Sequence, residues 1–249
     1  MKILVLIVVL VASTATVAES ATYEWLRENE RLSVILCPHG GGVDWAKRTY
    51  QARKATNGGY FYVVRGVYVP VGRLYYHGRR VYNFKAPKRG WIFRDASGKC
   101  RLSPMPPPDP KSCDYAREIG SVLVEKGKAK TRHEIGLYGE EHRYNHTERN
   151  VFVFKNGRIG NYHTTGPLWK VAKTLEKDGI EIAVNGDGGR SMRPKEKVAD
   201  IFVFLPAKGD KHLVAQNTPS PLHRALGSMS QLIGSNQNLL SYFGAAPLH

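Results

Sequence analysis

Ile180-Glu181-Ile182-Ala183-Val184-Asn185-Gly186-Asp187-Gly188-Gly189-Arg190-Ser191 joins a compact, mostly apolar run to a polar loop rich in glycine. Residues 180–184 have the length and β-branched content of a buried strand. The loop that follows sets Asn, Asp and Ser beside glycines. Glycine lets the main chain turn sharply and lets a ligand approach it, and the polar residues supply contacts. Upstream, Pro167 stands at a first-turn position. Leu168, Val171, Ala172 and Leu175 share one helical face opposite Lys170, Lys173, Glu176 and Lys177, and Gly179 ends the helix. Downstream, Ile201–Leu205 reads as one more strand, stopped by Pro206. A second loop of the same kind stands about half the chain earlier, as Asn57-Gly58-Gly59-Tyr60-Phe61. The two are expected at the same end of one sheet.

Most of the remaining chain reads as short strands joined by tight turns. His77-Gly78, Ala96-Ser97-Gly98, Lys126-Gly127 and Asn156-Gly157 each separate segments of strand character, and Asn-Gly is the strongest of these hairpin signals. Leu32–Leu36 and Tyr60–Val64 read as further strands, and Tyr23–Arg31 as a short helix. Many strands and few helices define an α+β class: a mixed, mostly antiparallel sheet with helices packed on it. No internal repeat is visible.

The 249 residues carry a formal net charge of +16 with 42% hydrophobic content, enough for one sizeable core or two small ones. Lys2, the apolar run Ile3–Val11 and the small residues up to Ala21 describe a secretory signal peptide over residues 1–20, or else an uncleaved anchor. No other segment is long and apolar enough to span a bilayer, so the mature chain is expected to be secreted or periplasmic, with no transmembrane segment. Residues 21–206 form the domain, and residues 207–249, richer in Ser, Asn, Gln, Gly and Leu, an appended tail. In a eukaryotic host Asn145-His146-Thr147 is a glycosylation acceptor. Cys100 and Cys113 flank a proline-rich stretch and are candidates for a disulfide that staples it. Cys37 is then a buried thiol. No metal-ligand spacing is visible among the cysteines and the nine histidines are scattered, so a zinc site is not supported and no cofactor is expected, while a metal requirement stays open. The basic balance suits anionic polysaccharide, cell-envelope components or other polyanions, while no nucleic-acid-binding module is recognisable.

The order of these segments resembles the phosphodiester glycosidase domain family, which includes the lysosomal-pathway uncovering enzyme and exported bacterial proteins linked to exopolysaccharide. The resemblance covers roughly Ser33–Leu205. It rests on Asn57-Gly58-Gly59-Tyr60-Phe61, then Pro70-Val71-Gly72-Arg73-Leu74, the Gly120–Val124 and Lys126-Gly127-Lys128 segment, Arg149, the amphipathic helix, and Asn185-Gly186-Asp187-Gly188-Gly189-Arg190-Ser191. Arg190 replaces the family's third glycine, Gly186 its leucine and Ser121 its proline. Phe152 and Phe154 stand where a small residue is usual.

The resemblance implies hydrolysis of a sugar-1-phosphodiester. That chemistry needs a carboxylate as positive charge develops at the anomeric carbon, donors for the phosphate, and groups that orient the sugar. Asp187 is the candidate carboxylate and Arg149 the candidate phosphate clamp, since a guanidinium grips phosphate oxygens in a fork. Asn57, Gly58, Gly59, Asn185, Gly188, Gly189, Arg190 and Ser191 are the candidate substrate contacts. Each has a plainer alternative: a turn aspartate at 187, a loop-fixing amide at 57, a solvated cation at 149 or 190. His163 is a candidate acid–base group or a surface histidine. Glu140, Glu141 and Glu148 are unranked candidates for a second carboxylate. The function implied is an exported hydrolase acting on a glycosyl phosphodiester in a glycan or glycolipid. The alternative is a non-catalytic binder of anionic glycan that keeps the same fold.

Overall fold

The structure is a computed structural model that describes residues 21–83, 89–135, 147–193 and 195–207. The expected signal segment, the tail beyond Ala207, the Asn145 acceptor and the candidates Glu140 and Glu141 lie outside those residues.

Every strand pairing among the described residues is antiparallel. The larger sheet is centred on β10 (Tyr115–Glu125), which is long enough to pair at both ends. On one side run β14 (Ile182–Asn185), β12 (Glu148–Lys155), β13 (Arg158–Thr165) and the edge strand β1 (Thr22–Trp25). On the other lie β6 (Arg73–Tyr76) and β7 (Arg79–Asn83). β8 (Arg89–Arg94) also pairs with β10 and carries β9 (Cys100–Ser103), and β11 (Lys128–Ala129) closes a short hairpin. A smaller sheet orders β2 (Glu30–Gly41), β15 (Val198–Pro206) and β3 (Lys54–Asn57), with β15 central. A separate hairpin joins β4 (Phe61–Val64) to β5 (Val67–Pro70). The expected turns form as predicted: His77, Lys126 and Asn156 adopt φ of 46°, 51° and 50°, each followed by a left-handed glycine.

Side-chain alternation stacks these parts into layers. Val151 and Val153 face one way, into a core with Leu168, Val171, Ala172 and Leu175 of α3 (Leu168–Lys177). Phe152 and Phe154 face the other way and meet Phe202 and Phe204 of β15 in the core between the sheets. Ile201, Val203 and Leu205 then point outward beneath α1 (Val43–Thr49). The order is helix, large sheet, small sheet, helix, and it defines an α+β fold. The remaining α-helix, α2 (Arg132–Ile135), is a single turn that buries Ile135 against α3, so three α-helices are described.

Two expectations are corrected. Residues 22–25 form β1 rather than the start of a helix. Tyr23 rests on Tyr162 with ring centroids 4.4 Å apart, and a Cβ on Gly160 would come within 2.7 Å of the Trp25 ring. The edge of β13 thus captures a segment whose own propensity is ambivalent. Cys100 and Cys113 do not form a disulfide, and all three cysteines are free. Arg94 of β8 pairs with Cys100 on one side and with Tyr115 on the other, so a whole strand separates the two thiols. Two strand spacings are roughly 9–10 Å, beyond the reach of a disulfide. Burial pushes the thiols at positions 100 and 113 up, and that of Cys37 up to about 12, which keeps them unreactive.

Candidate active site

The two glycine loops meet. The Asp187 amide donates to the Gly58 carbonyl at 2.9 Å, and Asn57 Nδ2 donates to the Asp187 carbonyl at 2.7 Å. The expectation of one shared sheet is corrected: β3 and β14 belong to different sheets and end side by side because the two sheets stack, so the contact closes one end of the sandwich.

Asp187 is 9% exposed. Burial pushes its carboxyl up to about 7, and the negative charge of Asp200 adds to that. Hydrogen bonds from the Ser191 side chain and the Gly188 backbone pull the other way. Arg149 arrives from β12, whose 148–150 backbone lies directly under the second loop. A Cβ on Gly188 would overlap the Glu148 carbonyl, and the Gly186 amide donates to the Asn150 carbonyl at 2.7 Å. Arg149 is buried, with Nε donating to the Gly166 carbonyl at 2.9 Å, and burial lowers its pKa. Tyr60 stands between these groups. Burial and then the charge of Asp187 push its hydroxyl up to about 12, against the guanidinium charges of Arg149 and Arg89. Asn185 Nδ2 donates to the Tyr60 hydroxyl at 2.6 Å, while the buried Asn185 Oδ1 has no hydrogen-bond partner. An unpartnered buried amide oxygen at this place suits a donor such as a sugar hydroxyl. Asn57, Arg149, Asn185 and Asp187, all buried, and the half-buried Tyr60 and Ser191 therefore form one polar cluster holding both signs of charge.

Other candidates take different roles. Both ends of the Asn57 amide are occupied, since Asn150 Nδ2 donates to its Oδ1 at 2.9 Å, so the side chain latches the loops together. The Gly58 amide donates to the Asp200 carbonyl. A Cβ on Gly58 would overlap the Asp200 carboxylate, and one on Gly59 would come within 2.7 Å of Arg117 Nη2. These two glycines let the chain strap across a fully buried Arg117–Asp200 ion pair of 2.9 Å. Gly188 needs its missing side chain for the close approach to β12. Gly189 adopts φ of 60° with open space around its Cα, where only the backbone angle favours glycine. Arg190 points outward, its side chain 81% exposed and 3.6 Å from Glu196. His163 is half-buried, with Nε2 3.5 Å from Thr56 Oγ1, and burial and then the Lys54 charge push it down to about 4. Glu148 is half-buried at the start of β12.

Several members of this cluster carry no motif that reading the chain singled out. Asn150 is the hub: Nδ2 also donates to the Asn57 carbonyl at 2.7 Å, and Oδ1 accepts from Asn161 at 2.5 Å and Thr56 at 3.1 Å. Alternation is the signal that finds it. Asn150 has the phase of Phe152 and Phe154, and a polar residue at a core phase needs partners. The same reasoning finds Arg117, in phase with Tyr115 and Ile119, and Asp200, in phase with Phe202 and Phe204. Among the described residues no group of three His, Cys, Asp or Glu side chains is placed to hold a metal ion.

The fold has solved counterparts. The chain resembles the catalytic domain of zebrafish N-acetylglucosamine-1-phosphodiester alpha-N-acetylglucosaminidase, auto-inhibited by its pro-peptide. The TM-score is 0.54 at 16% identity, covering 76% of this chain and 89% of that one. It also resembles a hypothetical protein from Synechocystis, with TM-score 0.56 at 12% identity, covering 74% of this chain and 59% of that one. A third counterpart is a Burkholderia pseudomallei protein described as exported, with TM-score 0.56 at 13% identity over 72% of each chain. These likenesses establish the fold that a phosphodiester glycosidase domain shares. No family model matches the sequence, and no curated protein matches it.

Proposed function

We propose that this chain is an exported hydrolase that cleaves a glycosyl phosphodiester in a glycan or glycolipid, with Asp187 and Arg149 as its catalytic residues. The observation that carries the reading is the buried Asp187 carboxyl, held where the two glycine loops meet and ionising near neutral pH. The fold likeness to a glycosidase domain that acts on a sugar-1-phosphodiester supports it. As the glycosidic bond lengthens, positive charge grows at the anomeric carbon, and ionised Asp187 stabilises it or adds to it. The anomeric C–O bond breaks with its electron pair going to the phosphate, whose negative charge grows by one. Arg149 balances that charge, so no strong acid is needed on the leaving side, and water supplies the hydroxyl that completes the free sugar. Asn185 Oδ1 accepts from a sugar hydroxyl, and the Tyr60 hydroxyl, still protonated, donates to the substrate.

The test is release of reducing sugar from α-glycosyl-1-phosphodiesters by the full chain. Turnover in wild type that is lost in Asp187→Asn upholds the proposal. Wild-type-like turnover in Asp187→Asn removes Asp187 from the mechanism. Absence of turnover with retained binding of acidic polysaccharide or cell-envelope glycan makes the chain a non-catalytic binder, a reading that the net charge of +16 and the outward Arg190 favour.

A further inference from the structure

We infer that the β4–β5 hairpin docks the protein onto an anionic lipid bilayer. Among the described residues the exposed large hydrophobic side chains are Trp45, Tyr62, Val63, Val64 and Met105, so three of the five are consecutive on β4. Val63 is 55% exposed. β4 and β5 pair only with each other among the described strands. The hairpin is anchored at its base and along β5: Phe61 packs into the core under α1, Val67 and Val69 pack beside Leu74 and Tyr82, and the Phe61 and Tyr68 rings lie 5.5 Å apart. The tip, Val64-Arg65-Gly66-Val67, is a tight turn with φ of 50° and 77° at Arg65 and Gly66. A firmly based hairpin thus presents Tyr62, Val63 and Val64 to the outside. An apolar run next to a tyrosine suits the boundary between lipid headgroups and acyl chains.

Charge selects the occupant. Arg65 is exposed at the tip. Tyr68 lies against Gly40, and a Cβ on that glycine would come within 2.8 Å of both the Tyr68 ring and the Lys197 Cβ. Lys197 is exposed, as are Arg190, Arg193 and Lys195 of the same basic segment. Cations beside exposed apolar side chains, on a chain of net charge +16, complement an anionic headgroup layer, where insertion and Coulomb attraction act together. A basic protein surface would repel a second copy. The hairpin follows directly from Tyr60, and the basic segment follows directly from Asp187, so a docked hairpin sets the polar cluster close to the bilayer.

The test is co-sedimentation of the full chain with vesicles of phosphatidylcholine alone or with roughly one-third phosphatidylglycerol. Wild type is expected to pellet with the anionic vesicles and to be released by high salt, since exposed charges are screened over about 10 Å or less. Val63→Asp/Val64→Asp is expected to weaken partitioning about tenfold or more, because charged residues resist insertion. Arg65→Asn/Lys197→Glu leaves the apolar residues in place and is expected to bind weakly as well; melting curves check that each variant is folded. Failure of wild type to pellet, equal pelleting with neutral vesicles, or unchanged binding by both folded variants overturns the inference. So does a concentration-dependent dimer in sedimentation that Val63→Asp/Val64→Asp abolishes, which would make a second copy the occupant. The vesicles contain no glycosyl phosphodiester, so the result is separate from that of the hydrolysis test. Turnover of a soluble phosphodiester is expected to be the same in Val63→Asp/Val64→Asp as in wild type.

Discussion

Asp187→Asn keeps the size and turn preference of residue 187 and removes its titration. Loss of a positioned acid–base group typically costs about 100- to 10,000-fold, and that loss is expected in kcat for phosphodiester hydrolysis. The same variant carries a stability signature. The folded carboxyl ionises near pH 7, above the ordinary carboxylate range, so the folded state holds its proton more tightly than the unfolded chain. That contribution is fully present below about pH 4 and is lost as pH rises through 7. Asp187→Asn should therefore melt progressively higher relative to wild type from pH 5 to pH 8. A difference independent of pH would contradict the burial of an ionising carboxyl. Arg149→Lys retains charge but loses the forked geometry and the Nε donor to Gly166, so it should lower kcat/KM less than Asp187→Asn does.

The strap formed by Gly58 and Gly59 is a packing device at the scale of elements. β3 leaves the small sheet and crosses the Arg117–Asp200 pair, which joins β10 of one sheet to β15 of the other. Gly58→Ala drives a methyl group into the Asp200 carboxylate. Overpacking a tight site costs about 1–3 kcal/mol, with a fall of roughly 2–4 °C in Tm per kcal/mol for a chain of this size. Asp200→Asn leaves Arg117 as an uncompensated buried charge and should cost about 3–5 kcal/mol, read as a lower urea midpoint. On the opposite layer, Leu175→Ala empties part of the core beneath α3 and should cost about 2–5 kcal/mol. If Gly58→Ala melts like wild type, ligand approach, rather than packing, is what its glycine serves.

For the molecule as a whole, the titrations of buried Asp187 and half-buried His163 bound the pH range of stability from opposite sides. Asp187 opposes folding as pH rises toward 7 and beyond. His163 sits near pH 4 in the folded state, below the ordinary histidine value of about 6.5, so the folded state resists its protonation. Its contribution is present above about 6.5 and is lost as pH falls through 4. Thermal melts should show His163→Gln flattening the acid limb between pH 6.5 and 4 while leaving the limb above pH 7 unchanged. An acid limb identical in wild type and His163→Gln would mean that other groups govern it.

Local pattern sufficed for every element whose cause is local. The α3 stripe, the turn glycines, and the alternation in Val151–Phe154 and Ile201–Phe204 each follow from periodicity or from backbone preference within a few residues. Asn57 and Asp187 are likewise legible as candidates from their glycine neighbours, and Arg149 from its place in the order of segments that carries the resemblance. Tertiary contact had to supply the rest. β1 exists because an edge strand recruited it, and the Cys100–Cys113 pair is forbidden because β8 runs between the thiols. Asn57 became a latch and Gly58 a strap only when residues 130 positions apart, and a buried ion pair between two sheets, closed around them. Chain propensity is set by neighbours in sequence, whereas burial, charge pairing and the ionisation of Asp187 depend on neighbours in space, which only the packed sandwich brings together.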